Sequence, residues 1–176
     1  ELTVGDDGCV SSVKVDMGRA DFLPVSVPVL SAEPVINRPL SILGKTYPAT
    51  CLSMGNPHAV IIMSEDLDLL DLERIGPAIE RHELFPDRAN VDFTRVLNRN
   101  TIQMRVWERG SGETLACGTG AGAAVAAAAR LGLCSFDTPV IVKLPGGELL
   151  IVCDSDYHIT IEGPAVTVYE GVYEYN

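Results

Sequence analysis

Glu113-Thr114-Leu115-Ala116-Cys117-Gly118-Thr119-Gly120-Ala121-Gly122-Ala123-Ala124-Val125-Ala126-Ala127-Ala128-Ala129-Arg130 is the stretch on which the fold turns. From Gly118 to Leu131 it is rich in alanine, the best helix former, and Gly132 stops it. Arg109-Gly110-Ser111-Gly112 before it reads as a Gly/Ser loop. A helix with small side chains on every face packs closely on several sides. We therefore expect it inside a curved sheet rather than on a surface.

The flanks read mainly as β. Glu1–Val4 and Cys9–Asp16 alternate around Gly5-Asp6-Asp7-Gly8, a hairpin pattern. Phe22–Leu30 contains Pro24 and Pro28, which cannot donate to a ladder, so it is a loop or an edge strand. Leu40–Leu43 and Tyr47–Leu52 flank Gly44-Lys45, a second hairpin. Ala59–Met63 is a short buried strand. Asp66–His82 carries apolar residues at helical spacing, and Gly76-Pro77 is expected to close one helix and open the next. Asn90–Leu97, Thr101–Glu108, Val140–Leu144, Leu149–Val152, His158–Glu162 and Val166–Tyr169 read as strands, with a hairpin turn at Gly146-Gly147. Many short strands around few helices define an α+β domain.

Composition narrows the function classes. The 176 residues carry Lys+Arg 13 against Asp+Glu 24, a net charge of −11. That acid excess argues against binding nucleic acid or an anionic membrane surface, which need clustered cations. It leaves room for a small anion, since one Arg and a few N–H groups hold a carboxylate. The longest low-charge run, Leu115–Ala129, is Ala/Gly-rich and falls short of a membrane span. Five cysteines at irregular spacing, without CxxC, argue against a disulfide framework or a zinc site and fit a reducing compartment. Three scattered histidines do not make a metal site. The chain begins at Glu1 within an alternating pattern, so we expect it to be the interior of a longer protein.

Cys117 is singled out by position. A helix N-terminus offers unpaired N–H groups and partial positive charge, which favour a thiolate and can receive a carboxylate. The expectation is a depressed thiol pKa beside an anion cradle; the plain alternative is a packed cysteine. Gly118-Thr119-Gly120-Ala121-Gly122-Ala123 also matches a loose dinucleotide-binding fingerprint, but a polar loop stands where a buried strand should enter it. The surroundings read as β-hairpins rather than βαβ units. Gly55-Asn56-Pro57-His58 is a loop whose histidine could tune a neighbouring thiol, the plain alternative being an ordinary Asn-Pro turn. Trp107-Glu108-Arg109-Gly110 reads as a surface ion pair or a carboxylate clamp with its own counter-ion.

Taken together, these clusters resemble the diaminopimelate epimerase family. The matching stretches are Met54–His58, Pro86–Val91 and Arg105–Thr114, the last running on through Ala116–Ala121. Val15–Gly18, Leu144–Gly147 and Gly163–Ala165 also fit, so the resemblance covers nearly the whole chain. It implies a cofactor-independent and metal-free isomerase of lysine and cell-wall precursor synthesis. Two cysteines would act on opposite faces of one α-carbon. Cys117 matches one of them, the proton acceptor. Gly118 and Thr119 match the cradle for the reacting carboxylate. Asn56, Asn90 and Arg109 match groups holding the distal end of the substrate. Glu108 and His58 match residues beside the reacting centre, and Glu108 also matches a substrate contact. The implied fold is a curved, mostly antiparallel sheet or barrel wrapped around the Ala-rich helix.

The second family cysteine has no counterpart. None of Cys9, Cys51, Cys134 or Cys153 precedes a Gly-rich helix start. The chain therefore resembles the C-terminal half of the enzyme, inactive alone. Residues 1–163 would form the lobe, and 164–176 a final strand for an N-terminal lobe. The resemblance implies a cytoplasmic bacterial protein, or a plastid one, acting on diaminopimelate. An unpaired final strand would be an edge, able to pair two copies into a homodimer. Two rival readings stay open: a non-catalytic binding or assembly module, and a two-cysteine racemase with another substrate.

Overall fold

A computed structural model describes residues 1–6 and 8–175. The strands are β1 (Leu2–Val4), β2 (Val10–Arg19), β3 (Arg38–Ile42), β4 (Lys45–Ser53), β5 (Pro57–Ile62), β6 (Asn90–Asn98), β7 (Thr101–Glu108), β8 (Gly112–Thr114), β9 (Val140–Leu144), β10 (Gly147–Cys153) and β11 (His158–Pro164). The helices are α1 (Leu72–Glu80) and α2 (Gly118–Arg130), with a 3-10 turn at Leu67–Leu69.

The strands form one sheet in the order β1-β2-β11-β10-β9-β7-β6-β5-β4-β3, with β8 beside β7. The pairs β5/β6 and β7/β9 are parallel and the rest antiparallel. The sheet curls around α2, which packs on β4, β5, β6, β7, β10 and β11. The ladder does not close into a barrel. Among the described residues its flanks are joined by the isolated bridge Asp21–Ser53, where each backbone N–H donates to the other's carbonyl at 3.0 and 2.7 Å. Ala121–Ala128 are wholly buried. At Gly122, an added Cβ would come within 3.1 Å of Ile159 Cγ2. The Ala/Gly composition thus lets six strands approach one helix, as expected from the sequence.

The two parallel pairs correct the reading of hairpins alone. Strand β7, helix α2 and strand β9 form a crossover, with the helix enclosed by the sheet. A second crossover runs from β5 through α1 to β6. This α1 face covers an outer core of Leu72, Ile79, Val91, Phe93 and Trp107, while Val60, Met104, Val106 and α2 fill the inner one.

Gly76-Pro77 does not split the helix, contrary to expectation. The interruption falls earlier, at Leu70-Asp71, where Asp71 caps α1 by accepting from Arg74 N at 3.3 Å. Pro77 forfeits one helical hydrogen bond. Packing outweighs that loss: Gly76 lies flat on Trp107, whose Cγ would stand 2.5 Å from an added Cβ. Gly76→Ala is expected to destabilise the fold by about 1–3 kcal/mol, the usual cost of overpacking, despite alanine's higher helix propensity. Urea denaturation followed by Trp107 fluorescence checks this.

Smaller departures are local. The β3–β4 turn is Leu43-Gly44, both left-handed, one residue before the expected pair. The β9–β10 turn is Pro145-Gly146, and Gly147 already pairs with Leu144. Phe22–Leu30 is a loop. The first turn, Gly5–Gly8, is described except for Asp7, which lies outside the described residues. Val166–Tyr169 is not a strand. Among the described residues, the last backbone bond of this end is Ala165 N to Ser11 O at 3.1 Å. Beyond it Val166, Val168, Tyr169, Val172, Tyr173 and Tyr175 are all exposed. Strand propensity alone cannot form a ladder where no neighbouring strand offers hydrogen bonds.

Candidate active site

The site is built at one end of α2. Cys117 is the N-cap residue, extended at φ −140° and ψ 110°, and Gly120 N donates to its Sγ at 3.4 Å. Gly118 and Thr119 begin the helix, where N–H groups have no intrahelical acceptor. Thr119 Oγ1 lies 3.5 Å from Cys117 Sγ.

Strands β5 and β6 bring up the rest. They run parallel in register, with His58 opposite Asn90 and Val60 opposite Asp92. Alternation turns His58, Asn90 and Asp92 inward and Val91 and Phe93 to the outer core. His58 Nδ1 lies 2.8 Å from Asp92 Oδ2, both side chains fully buried. His58 Nε2 lies 3.0 Å from Asn56 Oδ1 and 3.1 Å from Thr119 Oγ1. Asn56 Nδ2 donates to Thr119 Oγ1 at 3.3 Å. Asn56, His58, Thr119 and Cys117 thus form one connected cluster. Asn90 serves the backbone: its Nδ2 donates to Pro57 O at 3.1 Å and its Oδ1 accepts from Arg109 N at 2.8 Å. It ties the start of β5 to the end of β7.

Glu108 and Arg109 leave β7 on the hairpin to β8. Glu108 Oε1 accepts from Thr114 Oγ1 at 2.5 Å. Arg109 is exposed, and one NH of its fork donates to Asp87 O at 3.1 Å. The pair is therefore not a mutual ion pair; each side chain has its own anchor.

Two buried acids escaped the sequence reading. Asp92 sits under the first turn of α2, and a Cβ on Gly120 would lie 2.4 Å from its Oδ1. Glu80 accepts from Trp107 Nε1 at 2.9 Å and from Gly110 N at 3.2 Å, fixing the loop that carries Arg109. Signals for both exist. Asn90, Asp92 and Thr94 put polar groups at every second position of a strand bounded by apolar residues, and Glu80 follows Leu72, Gly76 and Ile79 on the apolar face of α1.

The thiol differs from expectation. Burial pushes Cys117 above its ordinary value, and the charges of Asp92 and Glu108 add to that rise. The contacts from Thr119 and Gly120 pull the other way and do not prevail. The resting group is a thiol, because partial burial outweighs the helix terminus. Cys51 and Cys153 are buried and pushed up to about 12. For Cys51 the consequence has a definite sign. An unfolded chain ionises this thiol near pH 9.0, whereas the folded chain resists until about 12. Its contribution is whole below pH about 9 and is lost as pH rises towards 12. The urea midpoint, measured in reductant, should fall over that interval, and less steeply in Cys51→Ala.

A sheet curled around an Ala-rich helix, with a cysteine at that helix's N-terminus, defines the fold of this lobe. Solved structures share the fold: a predicted epimerase from Pseudomonas aeruginosa (TM-score 0.56, 20% identity, covering 90% of this chain and 59% of that one) and a hydroxyproline epimerase from Agrobacterium vitis (TM-score 0.61, 13% identity, 93% and 52%). The sequence profile described as diaminopimelate epimerase matches residues 50–172, and the chain belongs to that family. It is 47% identical to the diaminopimelate epimerase of Acetivibrio thermocellus, over 100% of this chain and 62% of the relative. It is 48% identical to that of Laribacter hongkongensis, over 96% and 59%. The chain spans about three-fifths of the length of these curated relatives. No helix among the described residues is long and apolar enough to cross a membrane.

Proposed function

We propose that this chain supplies one catalytic cysteine, Cys117, and one face of the substrate site of a cytoplasmic enzyme that interconverts LL- and meso-diaminopimelate. The carrying observation is the cluster itself: a thiol capping a helix N-terminus, next to a buried histidine–carboxylate pair. Cys117 exchanges a proton with the α-carbon. The N–H groups of Gly118 and Thr119 hold the reacting carboxylate, where the helix terminus favours negative charge as it grows on deprotonation. Arg109 takes the distal carboxylate in a fork, and Asn56 and Glu108 face the ammonium groups. Asn90 acts through the backbone of Pro57 and Arg109, as a positioning residue.

In a two-cysteine inversion the base and the acid stand on opposite faces of the α-carbon. We assign the second thiol to an N-terminal lobe, and the exposed, strand-prone segment after Pro164 to that lobe's sheet. Residues 1–163 then form the Cys117 lobe. The experiment follows α-hydrogen exchange of LL-diaminopimelate in deuterium oxide by NMR. The 176-residue chain alone should give no meso isomer. The chain joined to the sequence preceding it in its reading frame should give both stereoisomers. Multiple turnovers by the chain alone contradict the one-thiol reading.

A further inference from the structure

Asp92 enters the reading above only as the partner of His58, and the Thr119 hydroxyl does not enter it, yet both touch His58. Their hydrogens can be assigned. Asp92 Oδ2, 2.8 Å from Nδ1, takes the hydrogen of that nitrogen. Asn56 Nδ2 donates to Thr119 Oγ1, which turns Asn56 Oδ1 towards His58 Nε2 at 3.0 Å. This carbonyl has a donor there only when Nε2 carries a hydrogen. Thr119 Oγ1 stands between Nε2, at 3.1 Å, and Cys117 Sγ, at 3.5 Å. The cluster is therefore arranged for two hydrogen positions.

We propose that Thr119 relays the Cys117 proton to His58, with Asp92 as the positioning residue that holds the imidazole in place. Thr119 Oγ1 takes the hydrogen from sulfur while its own proton passes to Nε2. The S–H electron pair stays on sulfur, and nothing enters or leaves. The resulting thiolate accepts from Thr119 O–H and Gly120 N–H. The imidazolium donates from Nε2 to Asn56 Oδ1 and from Nδ1 to Asp92. This deepens the preceding reading and rests on Cys117 being the proton-accepting thiol.

The charged and titratable groups facing Cys117 are Asp92 from β6, Glu108 from β7, and His58 from β5 through Thr119. They make the test decisive in sign. If Asp92 were only a negative charge near sulfur, Asp92→Asn would ease ionisation and speed alkylation. In the relay, the same change removes the imidazolium's counter-ion and slows it.

The measurement is the iodoacetamide rate at Cys117 across pH in the 176-residue chain, located by mass spectrometry, with melting temperatures as a folding check. Thr119→Val should slow the neutral-pH rate about tenfold, the scale of one charge-assisted hydrogen bond, and Thr119→Ser should restore it. Asp92→Asn should slow it comparably. A faster Asp92→Asn, or an unchanged Thr119→Val, overturns the relay. Should Asp92→Asn fail to fold, the Thr119 pair decides alone. Because the readout is thiol reactivity, a chain that keeps the relay but lacks epimerisation when joined to its preceding sequence counts against the functional reading only.

Discussion

Cys117→Ser, in the chain joined to its preceding sequence, is expected to cut deuterium exchange at the α-carbon by about 10³-fold or more for the stereoisomer whose hydrogen faces Cys117. General acid–base groups contribute about 10²–10⁴-fold, and a serine hydroxyl cannot act as a base at neutral pH. The same substitution should leave folding intact. Serine is among the best N-caps, and its oxygen can accept from Gly120 N as sulfur does now. The expected result is therefore a split between a preserved melting temperature and lost exchange. A two-thiol reaction makes the loss directional. The other stereoisomer, whose α-hydrogen faces the second thiol, should keep part of its exchange while losing inversion.

Gly120→Ala is the second large effect, and propensity predicts the wrong sign for it. Alanine is favoured over glycine within a helix by about 1 kcal/mol. The new Cβ, however, would lie 2.4 Å from Asp92 Oδ1 and 3.1 Å from Met104 Cε. The methionine end can give. The carboxylate cannot, because its other oxygen holds His58 at 2.8 Å in a fully buried pair. Overpacking costs about 1–3 kcal/mol, and breaking a buried pair about 3–5. Net destabilisation of about 2 kcal/mol or more is expected in urea titration, with faster solvent exchange at His58. Stabilisation would show that Asp92 has room to move.

How far the sequence could be read depends on what each feature obeys. Helix α2 was legible because its composition permits little else: small residues throughout, a cap before it and Gly132 after it. Most strand positions followed from alternation, but Val166–Tyr169 has no neighbouring strand to pair with and β8 was hidden behind a Gly/Ser loop; turns slipped by one residue where two adjacent positions compete. The continuity of α1 through Gly76-Pro77 was hidden, since it depends on Trp107, which is distant in sequence. The parallel pairs were hidden because a crossover leaves no local pattern. Cys117, His58 and Thr119 could be singled out, but not joined, since their contact spans about 60 residues of chain. Asp92 was missed because an acid on a strand ordinarily faces water. The direction of the Cys117 shift was misjudged because burial is a tertiary property, and it outweighed the helix terminus.

The proposed function puts Cys117 where diaminopimelate binds. The sharpest check alkylates the 176-residue chain with iodoacetamide, with and without millimolar LL- and meso-diaminopimelate, and reads the Cys117 and Cys51 peptides separately. Slower modification of Cys117 alone is expected, with protection lost in Arg109→Ala, whose fork would hold the distal carboxylate. Modification of Cys117 at the same rate with and without either stereoisomer would contradict it.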